Sequence, residues 1–172
     1  MKAITADVLE RAADHLKLNK NLRKRLSLAA AFDADTTGWE NFELFGVPTK
    51  DYQAGVLFIE LDEKLYATSY EIGGLAGKTG LAKPIICDFC KTWQAGGRAG
   101  SVTFPTKRRS ADSVSFLCCQ DLLCSLHVRN LTSAAKTSRS QLREDMTPER
   151  RVERLRAKLT VLVNRLNLEP IL

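Results

Sequence analysis

Four of the five cysteines in this chain stand in two short pairs, Cys87-Asp88-Phe89-Cys90 and Cys119-Gln120-Asp121-Leu122-Leu123-Cys124, with 28 residues between them. A tetrahedral zinc ion takes four such ligands from two local turns. The C-x-x-C pair closes a tight knuckle that puts both thiolates on one side of a metal. The wider C-x4-C pair suits one ligand at the end of a strand and the other on the first turns of a helix. The intervening stretch has the length of a hairpin returning to the knuckle, and knuckle, hairpin, helix is the treble-clef order. A single C-x-x-C is equally a redox motif or two ordinary buried thiols. Two pairs around a hairpin favour one structural zinc held by Cys87, Cys90, Cys119 and Cys124. Cys118 breaks the even count. On a strand it points to the face opposite Cys119, and it reads as a small buried apolar residue on the side of Phe116.

The same residues carry a family resemblance. The knuckle Cys87-Asp88-Phe89-Cys90 and the run from Cys119 through Cys124-Ser125-Leu126-His127-Val128-Arg129 resemble the fusidic-acid-resistance, elongation-factor-G-binding family. In that family a C-x-D-L-x-C-S-L-y-V-R run follows a hairpin and a C-terminal helix closes the domain. Pro148–Leu166 is similar to that helix, so the resemblance covers residues 39–168. It implies a C-terminal treble-clef zinc finger, docking on elongation factor G and help for the factor in leaving stalled ribosomes. Family members carry a longer N-terminal helical bundle, whereas fewer than 40 residues precede Trp39 here. That shortening bears on drug resistance more than on the zinc fold.

At 172 residues the chain can bury one good core, or one core and a small satellite. No run reaches the ~18 apolar residues of a membrane span, and residues 1–25 lack the apolar centre of a signal peptide. The expectation is a cytoplasmic protein, where reduced cysteines favour metal over disulfides. Charge is uneven: residues 87–172 hold 15 Lys/Arg and 8 Asp/Glu, net +7, against net −1 for residues 1–86. The zinc-bearing half thus carries a positive field that attracts acidic partners, whether protein or nucleic acid.

Thr5 caps a first helix whose stripe is Val8, Leu9, Ala12, Ala13 and Leu16. A second is expected over Asn21–Ala31, with Asn19 at the break. Residues 1–36 are expected to pack as a helical segment on a main zinc-binding domain of residues 37–172. Trp39, Phe42, Leu44 and Phe45 form an aromatic cluster read as core. Val56–Leu61 and Leu65–Tyr70 are expected strands joined through Asp62-Glu63-Lys64. The glycine-rich stretch from Gly73 to Gly80 invites a phosphate-loop reading. It fails, because the glycine required five positions before Gly77 is Ile72 and no helix follows. Gln94–Gly100 reads as a turn, and Val102–Phe104 with Val114–Cys118 as a hairpin whose basic tip is Lys107-Arg108-Arg109. Asp121 is placed to cap a helix over Leu122–Val128, and Thr132–Asp145 reads as an exposed connector. Thr147-Pro148-Glu149 is a strong helix start. It opens an apolar face through Val152, Leu155, Leu159 and Leu166, opposite a basic face of Arg150, Arg151, Arg154 and Lys158.

The fold class expected is α+β: a small antiparallel sheet with a treble-clef-like zinc finger, N-terminal helices and a long C-terminal helix. Four thiolates leave no open metal position for catalysis. His127 lies near the cysteines and competes as a ligand, but the tetrahedron is already full. No enzyme and no small-molecule substrate are expected. The partner implied by the resemblance is elongation factor G, on or off the ribosome, with Lys107, Arg108, Arg109, Arg150, Arg151 and Arg154 as candidate contacts. The alternative is a zinc protein that binds RNA or DNA through its basic half. The stacking aromatics of single-strand binders are sparse there, with only Trp93, Phe104 and Phe116 nearby.

Overall fold

The computed structural model describes residues 1–33, 35–74, 84–106, 112–142 and 144–172. The glycine-rich loop beyond Gly74 and the basic tip Lys107, Arg108 and Arg109 lie outside the described residues. Five antiparallel strands make the main sheet: β1 (Leu44–Pro48), β2 (Ala54–Leu61), β3 (Lys64–Gly74), β6 (Ala99–Pro105) and β7 (Ser113–Cys119), side by side in that order. A second, two-stranded ribbon of β4 (Ile85–Ile86) and β5 (Trp93–Gln94) brackets the first cysteine pair. Helices α1 (Ala6–His15) and α2 (Lys20–Arg25) precede the sheet. After it come α3 (Cys124–Val128), α4 (Ser133–Leu142) and α5 (Pro148–Leu166). The expected α+β class, with its sheet, treble clef and C-terminal helix, is what the chain adopts.

Alternation along β2 explains how one sheet serves two cores. Val56 and Phe58 face a cluster with Ile4 and Ala12 of the N-terminal segment, Phe42 and Phe45. Leu57, Ile59 and Leu61 face a second cluster containing the zinc-finger cysteines and Leu155, Leu159 and Leu166 of α5. A strand buried on both faces is apolar almost throughout. β2 and β3 meet through Asp62-Glu63 alone, both with left-handed φ (49° and 63°), so Lys64 belongs to the strand rather than to the turn. Such a two-residue turn matches the natural twist of a hairpin. Gly55 is required in β2: a Cβ there would sit 2.4 Å from the Val47 carbonyl oxygen and 2.5 Å from the Tyr70 hydroxyl.

Several elements differ from the sequence expectation. The second helix ends at Arg25, and only a single turn over Leu28–Ala30 follows. Leu26 is extended and bridges Thr49, while the Ser27 N–H donates to the Pro48 carbonyl. Pairing with the end of β1 outcompetes helix propagation there. Asn19 is the cap of α2, its side chain accepting the Leu22 N–H at 2.8 Å. Leu44–Pro48, expected only as part of an aromatic cluster, is a strand. Gly100, expected in a turn, is inside β6, paired with Cys118. Thr132–Asp145, expected as a connector, contains α4. Thr132 accepts the Ala135 N–H at 3.1 Å, and Ala134, Ala135 and Ser138 are buried. Among the described side chains its packing residues are small, so they make no apolar stripe.

Helix α5 runs over the expected residues, with Thr147 accepting the Arg150 N–H and Asn167 closing the end in a left-handed conformation. Its face is not basic throughout. Arg151 is only 3% exposed, and its Nη1 donates to Asn130 Oδ1 at 3.0 Å. Arg154 pairs with Glu144 at 2.6 Å. Arg150 is exposed. Past α5 the chain returns to the sheet: the Ile171 N–H donates to the Leu65 carbonyl at 2.7 Å, and the Leu65 N–H to the Leu172 carbonyl at 3.1 Å. This tail covers the start of β3's edge, at Leu65 and Tyr66, whereas β6 pairs with residues 71–74.

Candidate metal centre

Each residue of the Cys87-Asp88-Phe89-Cys90 knuckle has a positioning task. The Cys87 N–H donates to the Thr92 carbonyl and the Lys91 N–H to the Cys87 carbonyl, both at 3.0 Å, closing the turn with Lys91 at a left-handed φ of 58°. Asp88 stitches the turn to β7. Its N–H donates to the Leu117 carbonyl at 2.8 Å, and its carboxylate accepts the Leu117 N–H at 2.8 Å. Phe89 packs on Phe116 and Phe104, with ring centroids 5.2 and 6.3 Å away.

The second run is placed by β7 and α3. Cys119 is the last residue of β7, opposite Ala99, and Cys124 is the first of α3. Between them Leu122 takes a left-handed φ of 52°. The Asp121 carboxylate accepts the Leu123 N–H at 3.0 Å. Asp121 thus shapes the turn before α3, and the helix begins two residues later than expected. Ser125 and Arg129 fasten α3 to the sheet. The Ser125 hydroxyl accepts the Glu43 and Leu44 N–H groups at 2.9 and 3.2 Å. Arg129 forks onto the buried Glu43 carboxylate at 2.8 and 2.5 Å.

These supports bring Cys87, Cys90, Cys119 and Cys124 together: their Sγ atoms all lie within 4.8 Å of one another, and all four residues are buried. Cys87 and Cys124 approach to 3.7 Å, and Cys90 and Cys119 to 3.6 Å. Four sulfurs at about 2.3 Å from a tetrahedral zinc would stand about 3.8 Å apart, so the donor set fits one zinc ion. Cys118 is buried outside this set and packs in the same core. Its thiol is the largest influence holding Cys87 well below the ordinary thiol range, followed by Cys119 and Cys124. Cys118 itself is pushed up, first by Cys87 and then by burial.

Two side chains around the sulfurs were not fully legible from sequence. Gln94 Nε2 donates to Cys119 Sγ at 3.2 Å, and nothing in its local sequence marks it. His127 reads from the sequence as a competing ligand beside a full tetrahedron. Its Nδ1 stands 3.4 Å from Cys119 Sγ and 3.9 Å from Cys90 Sγ, and its Nε2 stands 3.6 Å from the Asp121 carboxylate. Cys119, Asp121 and His127 also form a three-membered group of ligating atoms. Burial pulls the imidazole down, but Asp121 and Cys90 outweigh it and raise it to about 9. The carboxylate and thiols beside it thus favour the protonated ring over the neutral one. Outer partners of this kind orient and tune metal ligands.

Of the candidate contact residues, Arg150 is exposed, Arg154 is tied to Glu144, and Arg151 is buried and withdrawn from any surface. No helix among the described residues is long and apolar enough to cross a membrane. A family model described as "FBP C-terminal treble-clef zinc-finger" matches residues 16–166. No curated protein and no solved structure matches the chain.

Proposed function

Because the chain belongs to the FBP C-terminal treble-clef zinc-finger family, we propose that it is a non-catalytic zinc protein that docks on translation elongation factor G and modulates the factor's release from the ribosome. The observation that carries this reading is the closed four-cysteine centre, buried and braced by Asp88, Ser125 and Arg129. Four thiolates fill a tetrahedron and leave no position for a substrate, which is the arrangement of structural sites. The centre joins the β6–β7 hairpin to α3, which packs against α5, so a partner meets a preformed surface. The positive half speeds encounter with an acidic partner. Arg150 and the hairpin tip Lys107-Arg108-Arg109 are the proposed contacts.

The test is a titration of the purified, zinc-loaded protein against purified elongation factor G, with an RNA oligonucleotide run in parallel at two salt concentrations. Saturable binding to the factor that survives moderate salt is expected. Arg150→Glu should slow association more than it speeds dissociation, as for a charge at an interface rim. No binding to the factor, together with tight binding to RNA that collapses with salt, would replace this reading with the nucleic-acid one.

A further inference from the structure

At the open end of the sheet face that also carries Leu57 and Ile59, the turn Leu28–Ala30, β1, β3 and the 120–123 turn enclose a cleft of about 490 Å³. That lies within the roughly 300–1,000 Å³ of small-molecule sites. Its walls are rings and aliphatic chains, among them Phe42, Phe45, Leu44 and Leu122. Phe32 and Tyr52, exposed by 41% and 57%, also line it and form its rim. Gly46 contributes a bare stretch of backbone beside Leu122 and the Tyr70 hydroxyl.

Tyr70 is the second, independent observation. It is 3% exposed, it lines the cleft, and its hydroxyl has no hydrogen-bond partner among the described residues. With no partner in the described chain, the hydroxyl is left to bond with whatever occupies the cleft. Burial raises its pKa, so the group stays protonated and offers a donor. The electrostatics narrow the class further. Although the chain carries 26 Lys/Arg, none is among the described residues lining the cleft. The one charged lining residue is Asp121, whose carboxylate is already turned to the Leu123 N–H and to His127. Among the described lining residues, phosphates and other anions therefore find no counter-charge, and a cation finds a carboxylate already engaged.

We propose that this cleft binds an uncharged, ring-containing small molecule that presents a carbonyl or ether oxygen to the Tyr70 hydroxyl. The site is separate from the proposed docking on elongation factor G, so either can fail without the other.

Nile red, an uncharged fused-ring dye with a carbonyl oxygen, is the probe. Titrated into the zinc-loaded full chain, it should show saturable one-to-one binding with blue-shifted emission. Tyr70→Phe removes only the unpaired hydroxyl. It should weaken the dye by about 3–10-fold, the range for one hydrogen bond, while leaving the melting temperature unchanged or raised. Ala31→Trp, made at a half-buried rim position, should block binding. The anionic dye 1-anilinonaphthalene-8-sulfonate should bind at least about tenfold more weakly, for want of a counter-charge. Lack of saturation, equal binding of the anionic dye, or unchanged binding by both variants would overturn the proposal. Displacement of the dye by elongation factor G would also overturn it, reassigning the cleft to protein contact.

Discussion

Ser125 and Arg129 help to hold α3 in place, because each satisfies groups of β1 and its approach that would otherwise be buried unpaired. The Glu43 carboxylate and the Glu43 and Leu44 N–H groups all find their partners on α3. The cysteines themselves divide sharply. Cys124→Ser removes one of four ligands from a buried set, and structural zinc supplies on the order of 10 kcal/mol of folding free energy. Elemental analysis of that variant should find zinc well below one per chain, with loss of cooperative unfolding. Cys118→Ser should keep a full zinc, because Cys118 lies outside the four-cysteine set. The four ligands were legible because a metal demands two local pairs. Gln94 was not, since its contact depends on a sulfur 25 residues away, and for His127 the sequence showed the nearness but not the hydrogen-bonding side of the ring.

Among the elements, α5 was the most readable and α4 the least, for one physical reason. A helix is visible in sequence when large apolar side chains recur at its period. Leu155, Leu159, Leu162 and Leu166 do so in α5, and all are buried. In α4 the buried positions are Ala134, Ala135 and Ser138, small enough for close approach to β5, where the Trp93 N–H donates to the Ser138 hydroxyl at 2.8 Å. The basic face assigned to α5 failed at Arg151, which is buried and donates to Asn130 in the turn after α3, a contact that helical spacing alone does not reveal. Leu159→Ala should cost about 2–5 kcal/mol, the range for truncating a buried leucine. Arg150→Ala, on the exposed side, should stay within about 0.5 kcal/mol. Denaturant unfolding of both variants at equal zinc checks the pair. A Leu159→Ala cost below that of Arg150→Ala would mean that α5 does not seal the core.

For the whole molecule, zinc should act as a clasp between parts that the sheet alone does not join. The β4–β5 ribbon is paired with no strand of the main sheet, and it reaches β7 through the Asp88 contacts and the cysteines. The N-terminal segment and the β1–β2 aromatic cluster contain none of the ligands. Removing zinc should therefore loosen the molecule unevenly. Thiolate ligands must be deprotonated to bind, so protons compete with the metal and acid releases it. The sign follows directly: zinc-dependent stability is present at neutral pH and is lost as pH falls. Hydrogen exchange at neutral pH, before and after a zinc chelator, is the measurement. Amides of β4, β5, α3 and the 120–123 turn should lose protection first and most. Those of β2, paired on both sides by β1 and β3, should stay the slowest to exchange. Restoring zinc should restore the pattern. Uniform loss across the chain would show instead that the two cores unfold as one unit, and no loss at all would show that the cysteine cluster is stable without its metal.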